Sequence, residues 1–277
     1  MDALVKPAFV DVAADRRVAA ALIASGQPLA HAFGNIYALS MRPDAGSVAR
    51  ANLMKGRPAG QTGSALTTRR HMEALFDWDA VPRVFPRPAL LSLFDELLDA
   101  GPIGLRGPAA ASIPTHLAGE DGGRRTVQFV SPGSRCPSNI MVAAATEMLG
   151  TRYLCVTSAN RSHHATGAAE EPAHFEALPL ALDFAGTRLP ILRHRDEAAV
   201  RAAHPRHAPI STSILAFHRY AGLGPEGCPA LTLERHGSLD IVDLVPILAR
   251  HGFALAIGAG ASRRLGQRPL FSLGAAA

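Results

Sequence analysis

The sequence predicts a single compact domain of α/β or α+β class, built on a mixed sheet. Three observations carry that expectation. Apolar residues are 48% of the 277 and charged residues only 18%, a balance that allows a sizeable core and excludes wholesale disorder. Short apolar runs alternate with longer segments of helical periodicity. Glycine and proline fall mainly between these segments, where turns and caps need them. No internal repeat at solenoid or propeller periods interrupts the pattern.

Taken in order, Asp11 to Ser25 is alanine-rich and closed by Gly26, so it reads as a helix, and Pro28 to Phe33 follows as a strand. Asp44 or Ser47 caps a second helix that reaches Lys55, with Gly56 and Pro58 stopping it. Ala89 to Leu98 places Leu90, Leu93, Phe94, Leu97 and Leu98 on one helical face. Pro82 to Pro88 and Gly101 to Gly123 read as loops. Thr126 to Val130 reads as a strand. Pro137 opens a helix with apolar positions Ile140, Met141, Ala144, Ala145 and Met148, closed by Gly150. Arg152 to Val156 is the next strand, giving way to a turn at Thr157-Ser158-Ala159-Asn160 and a polar loop holding Gly167, Glu170, Glu171 and Pro172. Ile214 to Phe217 and Ala230 to Leu233 are further strands. Ser238 caps a helix to Arg250 that Pro246 bends. Residues 10–250 form the domain, and 251–277 add a C-terminal strand and tail.

Composition narrows the function classes. Lysine and arginine exceed aspartate and glutamate by 28 to 23, a net charge of +5 that suits an anionic partner: a phosphorylated small molecule or a nucleic acid. Aromatic residues are only 5%, thin for a surface that stacks single-stranded bases. Cys136, Cys155 and Cys228 are too few and too scattered for a disulfide framework or a paired-cysteine metal site, and Cys155 in its apolar run reads as a buried thiol. The N-terminus carries no signal-peptide pattern, and no window approaches the roughly 18 apolar residues of a membrane span, so a cytoplasmic location is expected.

Four segments could carry chemistry. Lys55 is one of two lysines in the chain and lies two residues from Arg57 at a helix end. Together they could hold a polyphosphate or carboxylate, or simply complement the helix dipole. Thr157, Ser158 and Asn160 lie where a strand ends, a position where ligands collect in α/β sheets and where ordinary turns also form. Thr212 and Ser213 lead into a strand with hydroxyls that could meet phosphate oxygens, and Arg235 follows a strand as a candidate cover for a ligand phosphate.

Taken together, the four segments resemble the YrdC-like family, whose best-known members are threonylcarbamoyl-AMP synthases. Lys55-Gly56-Arg57-Pro58 matches that family's K-x-R-P element. Gly101-Pro102-Ile103-Gly104 is similar to its G-P-[VI]-T segment, with glycine for threonine. Val156-Thr157-Ser158-Ala159-Asn160-Arg161-Ser162 resembles its T-S-A-N-x-S-G signature, Thr212-Ser213-Ile214-Leu215 its S-T-[IV]-V strand, and Leu233-Glu234-Arg235-His236-Gly237 its L-R-x-G close. The motifs occur in the family's order over residues 10–250.

The resemblance implies a twisted mixed sheet flanked by helices, and a nucleotidyltransferase activity. Such enzymes join threonine, bicarbonate and ATP, with Mg²⁺, into threonylcarbamoyl-AMP and release pyrophosphate; the group is destined for tRNA. It assigns Lys55 and Arg57 the cationic catalytic role. Thr157, Ser158, Asn160, Thr212, Ser213 and Arg235 take nucleotide binding, and His31, Tyr37 and Arg135 are candidate substrate contacts. No resident metal site is expected. The chain departs from the family at the P-T-E-[ST]-x-Y-G-L-G element: His31 to Leu39 keeps only Tyr37 and Leu39 of it. Thr126 to Val130 also lacks the expected arginine. These losses fall on the amino-acid side, so ATP binding is implied more firmly than threonine. A non-catalytic nucleotide- or RNA-binding protein using a basic cleft, and carbamoyl-adenylate chemistry on another acceptor, remain the alternatives.

Twelve histidines include His163-His164 and His204-x-x-His207, read as surface residues for want of a ligand spacing. Gly258-Ala259-Gly260 is read as a loop to a tail whose Arg263, Arg264 and Arg268 are solvated, because no βαβ unit can follow it.

Overall fold

A computed structural model describes residues 7–162 and 171–271. The first helix, α1 (Ala13–Ala24), follows a two-residue strand, β1 (Ala8–Phe9), and leads into β2 (Leu29–Phe33). β3 (Ile36–Met41) returns antiparallel to β2, and α2 (Ala45–Lys55) follows under the Asp44 cap, which accepts from the Ser47 amide at 2.9 Å. Gly56 ends α2 with φ of +75°, and a Cβ there would lie 2.8 Å from the Ser162 carbonyl. β4 (Ser64–Leu66), α3 (Arg69–Met72), α4 (Arg87–Ala100), β5 (Ile103–Pro108), β6 (Ala118–Asp121) and β7 (Arg124–Ser131) come next. They are followed by α5 (Ser138–Leu149), β8 (Leu154–Ser158), α6 (Ala177–Asp183), β9 (Ile191–Arg193), α7 (Glu197–Ala202), β10 (Ile214–Ala216), β11 (Ala230–Arg235), α8 (Ile241–Arg250) and β12 (Ala254–Ile257).

The strands form one mixed sheet in the order β1-β9-β2-β3-β8-β4-β7-β5-β10-β11-β12, with β6 paired to β7. Alternation along the strands gives the sheet two cores. Leu39, Met41, Ala65, Phe129, Leu105, Leu215 and Leu233 pack against α4 and α8. Ala38, Leu66, and Leu154 and Val156 on either side of Cys155, join Ala19, Ala20 and Ile23 of α1 and Met141, Val142 and Ala145 of α5 on the other face.

Several expectations need correcting. Gly101 to Gly123 contains two strands, β5 and β6; the Gly104, Gly107 and Pro108 of β5 conceal it, yet Gly104 is where a Cβ would press on Ile214 of the neighbouring strand at 2.9 Å. β3 lay in a stretch with no strand expectation, because every residue of it is buried and the alternation signal vanishes. Asp240, not Ser238, caps α8 and accepts from the Val242 amide at 3.2 Å; the Ser238 side chain is buried. Ile140 and Met148 are exposed, the buried face of α5 being Met141, Val142, Ala145 and Thr146. β8 runs two residues further than expected, so Thr157 and Ser158 are strand residues. Cys155 is buried as read, and burial pushes its thiol up to about 12.

Candidate functional site

The face of the sheet that α1 and α5 cover over β2, β3 and β8 also carries a cavity of about 300 Å³. Its floor is set by strand register: Ser64 lies opposite Val156, and the Gln128 amide donates to the Ser64 hydroxyl at 2.7 Å. Phe33, Ile36 and Ala38 of the β2–β3 hairpin line one part, and Arg57, Thr157, Ser158, Thr212 and Arg235 line another.

The cationic part is organised around two threonine hydroxyls. Lys55 Nζ reaches the Thr157 Oγ1 at 3.1 Å, the Ser158 carbonyl, and Asn160 Oδ1 at 3.2 Å. Arg57 Nη1 reaches the same Thr157 Oγ1 at 2.8 Å. That oxygen accepts twice, which leaves its proton to donate. Elsewhere in the lining Arg235 donates to the Thr212 carbonyl at 2.7 Å and to Thr212 Oγ1 at 2.9 Å, again leaving a hydroxyl proton to donate. Burial, with repulsion from Arg57 and Arg235, holds the Lys55 ammonium well below its usual value. Burial lowers Arg57 to about 10, and burial with Arg106 and Arg57 lowers Arg235 to about 10. Lys55 is fully buried and Arg57 and Arg235 are half-buried, so one side of the cavity is cationic.

The structure therefore brings Arg57, Thr157, Ser158, Thr212 and Arg235 to one cavity. Lys55 and Asn160 stand one layer behind it: Lys55 is fully buried, and Asn160 Oδ1 also accepts from the Ser158 hydroxyl at 2.5 Å. Both position the wall. Ser213 faces away, its hydroxyl donating to the Leu239 carbonyl at 2.6 Å and accepting from the Gly237 amide at 3.0 Å. His31 is buried between the Ala32 carbonyl and the Ser40 hydroxyl, 2.9 and 2.8 Å away, and desolvation pushes it down to about 4. Tyr37 donates to Glu197 at 2.6 Å, and Arg135 is exposed on the β7–α5 turn. None of these three lines the cavity. Gln128 and Ser64 line it and were missed, since a strand glutamine and a serine carry no motif.

His163, His164, Gly167 and Glu170 lie outside the described residues. His207 is buried, not on the surface, because its ring packs on Gly101. Arg264 and Arg268 are not solvated: they pair with Asp240 and with Glu171. Among the described residues, Asp121, His218 and Glu234 lie close enough to share a metal. Arg219 binds both carboxylates and Arg106 binds Glu234 at 2.9 Å, so cations of the chain already neutralise the group. Glu171 is the one carboxylate among the described cavity-lining residues, and Arg268 holds it. Hydroxyls and one engaged carboxylate are a poor donor set for a resident divalent ion.

No family model and no curated protein matches the sequence. Solved structures do match. A variant form of Sua5 from P. abyssi superposes with a TM-score of 0.62 at 19% identity, over 88% of this chain and 61% of that one. This chain has the Sua5, YrdC-like fold. P. abyssi Sua5 complexed with L-threonine gives a TM-score of 0.61 at 19% identity, over 87% of this chain and 59% of that one. E. coli YciO matches with a TM-score of 0.49 at 14% identity, over 73% and 82% of the two chains. The chain spans about three-fifths of the length of the Sua5 chains it matches. Within this YrdC-like fold the cavity lies on the sheet face beside α1 and α5, and no helix among the described residues is long and apolar enough to cross a membrane.

Proposed function

We propose that the protein is a nucleotidyltransferase that forms a carbamoyl-adenylate, threonylcarbamoyl-AMP or a close relative, from ATP, bicarbonate and a small amino acid. The observation that carries this reading is the pair of hydroxyls, Thr157 and Thr212, each held by arginine in one cavity. The amine and carbon dioxide give a carbamate, whose oxygen attacks the α-phosphorus as pyrophosphate leaves. Arg57 and Arg235 would balance charge on the phosphoryl oxygens while Thr157 and Thr212 donate to them. Lys55 would act from behind, holding the Thr157 and Asn160 side chains in place. Mg²⁺ carried with the triphosphate would supply further charge neutralisation. Carbamate formation from the ammonium and bicarbonate releases water and a proton, which would pass to solvent since no cavity side chain stands out as a general base, and positioning would supply much of the rate. One of the matched Sua5 structures holds L-threonine, which supports an amino acid as co-substrate. The product would serve tRNA threonylcarbamoyladenosine formation.

A second reading is carbamoyl-adenylate chemistry with a different amine or acceptor. The apolar lining by Phe33, Ile36 and Ala38, where the family's Thr-Glu pair is absent, favours it. Incubation with ATP, Mg²⁺, bicarbonate and each amino acid in turn, read as pyrophosphate and AMP adduct, decides between them. Pyrophosphate with threonine supports the first reading; pyrophosphate with another amine alone supports the second. None with any amine overturns both.

A further inference from the structure

The lining of the cavity changes character across the sheet. Phe33 and Ile36 are register partners across the β2–β3 turn, and Ala38 follows two residues on along β3; all three are buried and apolar. Val130 of β7, Val156 of β8 and Ala173 line the cavity with them. Ala173 belongs to this part because the Tyr37 amide donates to the His174 carbonyl at 2.8 Å and the His174 amide to the Ala159 carbonyl at 3.2 Å, which lays its segment beside β3. The backbone is already paired: the Tyr37 carbonyl accepts from the Ala159 amide at 3.0 Å, and Ile36 and Ala38 sit in the β2–β3 ladder. Ser158, the register partner of Ala38, gives its proton to Asn160 Oδ1. Ser64 lies on β4, two strands from β3, which is about 10 Å at ordinary strand spacing. The β2–β3 part of the lining thus offers methyl and ring surface and no side-chain donor or acceptor of its own.

Register places this surface beside the phosphoryl end of the cavity. Ala38 pairs with Ser158, and Thr157 is the residue before it on β8. On the carbamoyl-adenylate reading, on which this inference rests, Thr157 meets the phosphoryl group. The carbamate joins the phosphorus to the amino-acid α-carbon through oxygen, carbon and nitrogen, a reach comparable with one strand spacing of about 4.8 Å. The amino-acid side chain therefore falls on the strand next to Thr157, whereas the adenine is set back by the whole ribose. We propose that the amine co-substrate is a small apolar amino acid of the valine type, its side chain against Phe33, Ile36 and Ala38, and that Ile36 and Ala38 set the choice. Valine and threonine share a shape, and at this surface they differ by a hydroxyl that loses water and gains no partner. A hydrophobic pocket separates such a pair by about a hundredfold, whereas a site built to bind the hydroxyl favours threonine by far more.

Two measurements on the full chain keep the subsite and the reaction apart. Equilibrium dialysis of radiolabelled valine and threonine, with a non-hydrolysable ATP analogue present, reports the subsite. Pyrophosphate release with ATP, Mg²⁺, bicarbonate and each amino acid reports the reaction. Valine is expected to be retained about a hundredfold more tightly than threonine. Ala38→Val, which fills the pocket, is expected to weaken valine about tenfold and to leave alanine nearly unaffected. Ile36→Ala, which enlarges it, is expected to move the preference toward leucine. Threonine retained as tightly as valine, or neither retained, overturns the inference, and pyrophosphate released with threonine in preference would leave the carbamoyl-adenylate reading standing. Valine retained with no pyrophosphate from any amino acid upholds the apolar subsite and rejects the reaction.

Discussion

Arg57 and Thr157, 100 residues apart in sequence, are joined by a 2.8 Å hydrogen bond that lays the turn after α2 against the end of β8. The same Thr157 oxygen accepts from Lys55. Removing the hydroxyl takes one acceptor from each of two largely buried cations, a change that costs about 1–3 kcal/mol when a buried group loses its partner. Thr157→Val is therefore expected to lower the urea midpoint and to weaken ATP binding, while Thr157→Ser retains both. Equal binding by Val and wild-type proteins in a titration would show that the hydroxyl does not face the ligand.

Lys55 gives a prediction in which stability and function part. Its ammonium is fully buried, so removing it relieves desolvation and repulsion from Arg57 and Arg235, against the loss of its bonds to Thr157, Ser158 and Asn160. These effects oppose each other, and Lys55→Met should change unfolding free energy by no more than about 2 kcal/mol. Pyrophosphate release should nevertheless fall at least tenfold, because the wall that presents Thr157 loses its support. Paired calorimetry and turnover measurements check this; full turnover in a folded Lys55→Met protein would remove Lys55 from the site.

Much of this site was legible from the sequence because its residues lie in short motifs. Lys55-Gly56-Arg57, Thr157 to Asn160, Thr212 and Arg235 each sit within a few residues of a strand or helix end, where local pattern and position agree. Residues placed by register were not legible. Gln128 and Ser64 meet only because β4 pairs with β7, and nothing local to either strand announces that pairing. The same limit misassigned His31: it is on the expected strand, but its ring is directed at Ser40 of β3. β5 was hidden for a different reason, since the glycines that let it approach β10 closely are also the commonest loop residues. The tail arginines looked solvated because their partners, Asp240 and Glu171, lie 24 and 97 residues away.

The buried histidines make stability depend on pH. His31 and His207 are each lowered from 6.5 to about 4, mainly by desolvation. In the unfolded chain both take up protons near pH 6.5, whereas in the fold they stay neutral until about 4, so the unfolded state binds more protons across that window. Their contribution is fully present above the unfolded value and is lost as pH falls toward 4. Thermal midpoints should drop steadily from pH 7 to pH 4.5, and His31→Gln should flatten that slope whatever it does to the midpoint at neutral pH. An unchanged slope would assign the acid sensitivity to other groups.

Gly237 closes the wall that carries Arg235. A Cβ at this position would lie 2.1 Å from the Ser211 carbonyl oxygen and 2.5 Å from the Thr212 carbonyl carbon, so the turn after β11 and the segment before β10 touch backbone to backbone. The Gly237 amide also donates to Ser213, and Arg235 reaches across to Thr212 in the same contact. Alanine there must push the two segments apart, since neither neighbour is the end of a pliable side chain. Gly237→Ala is expected to lengthen the Arg235–Thr212 bonds and destabilise the fold by about 1–3 kcal/mol, the cost usual for overpacking. ATP affinity should fall with it, as the Thr212 hydroxyl shifts from its place in the cavity lining. Gly186→Ala offers the matched control, because a Cβ there meets open space and the residue does not line the cavity. Equal affinity in the two variants would show that the Arg235 wall does not need this close contact to bind its ligand.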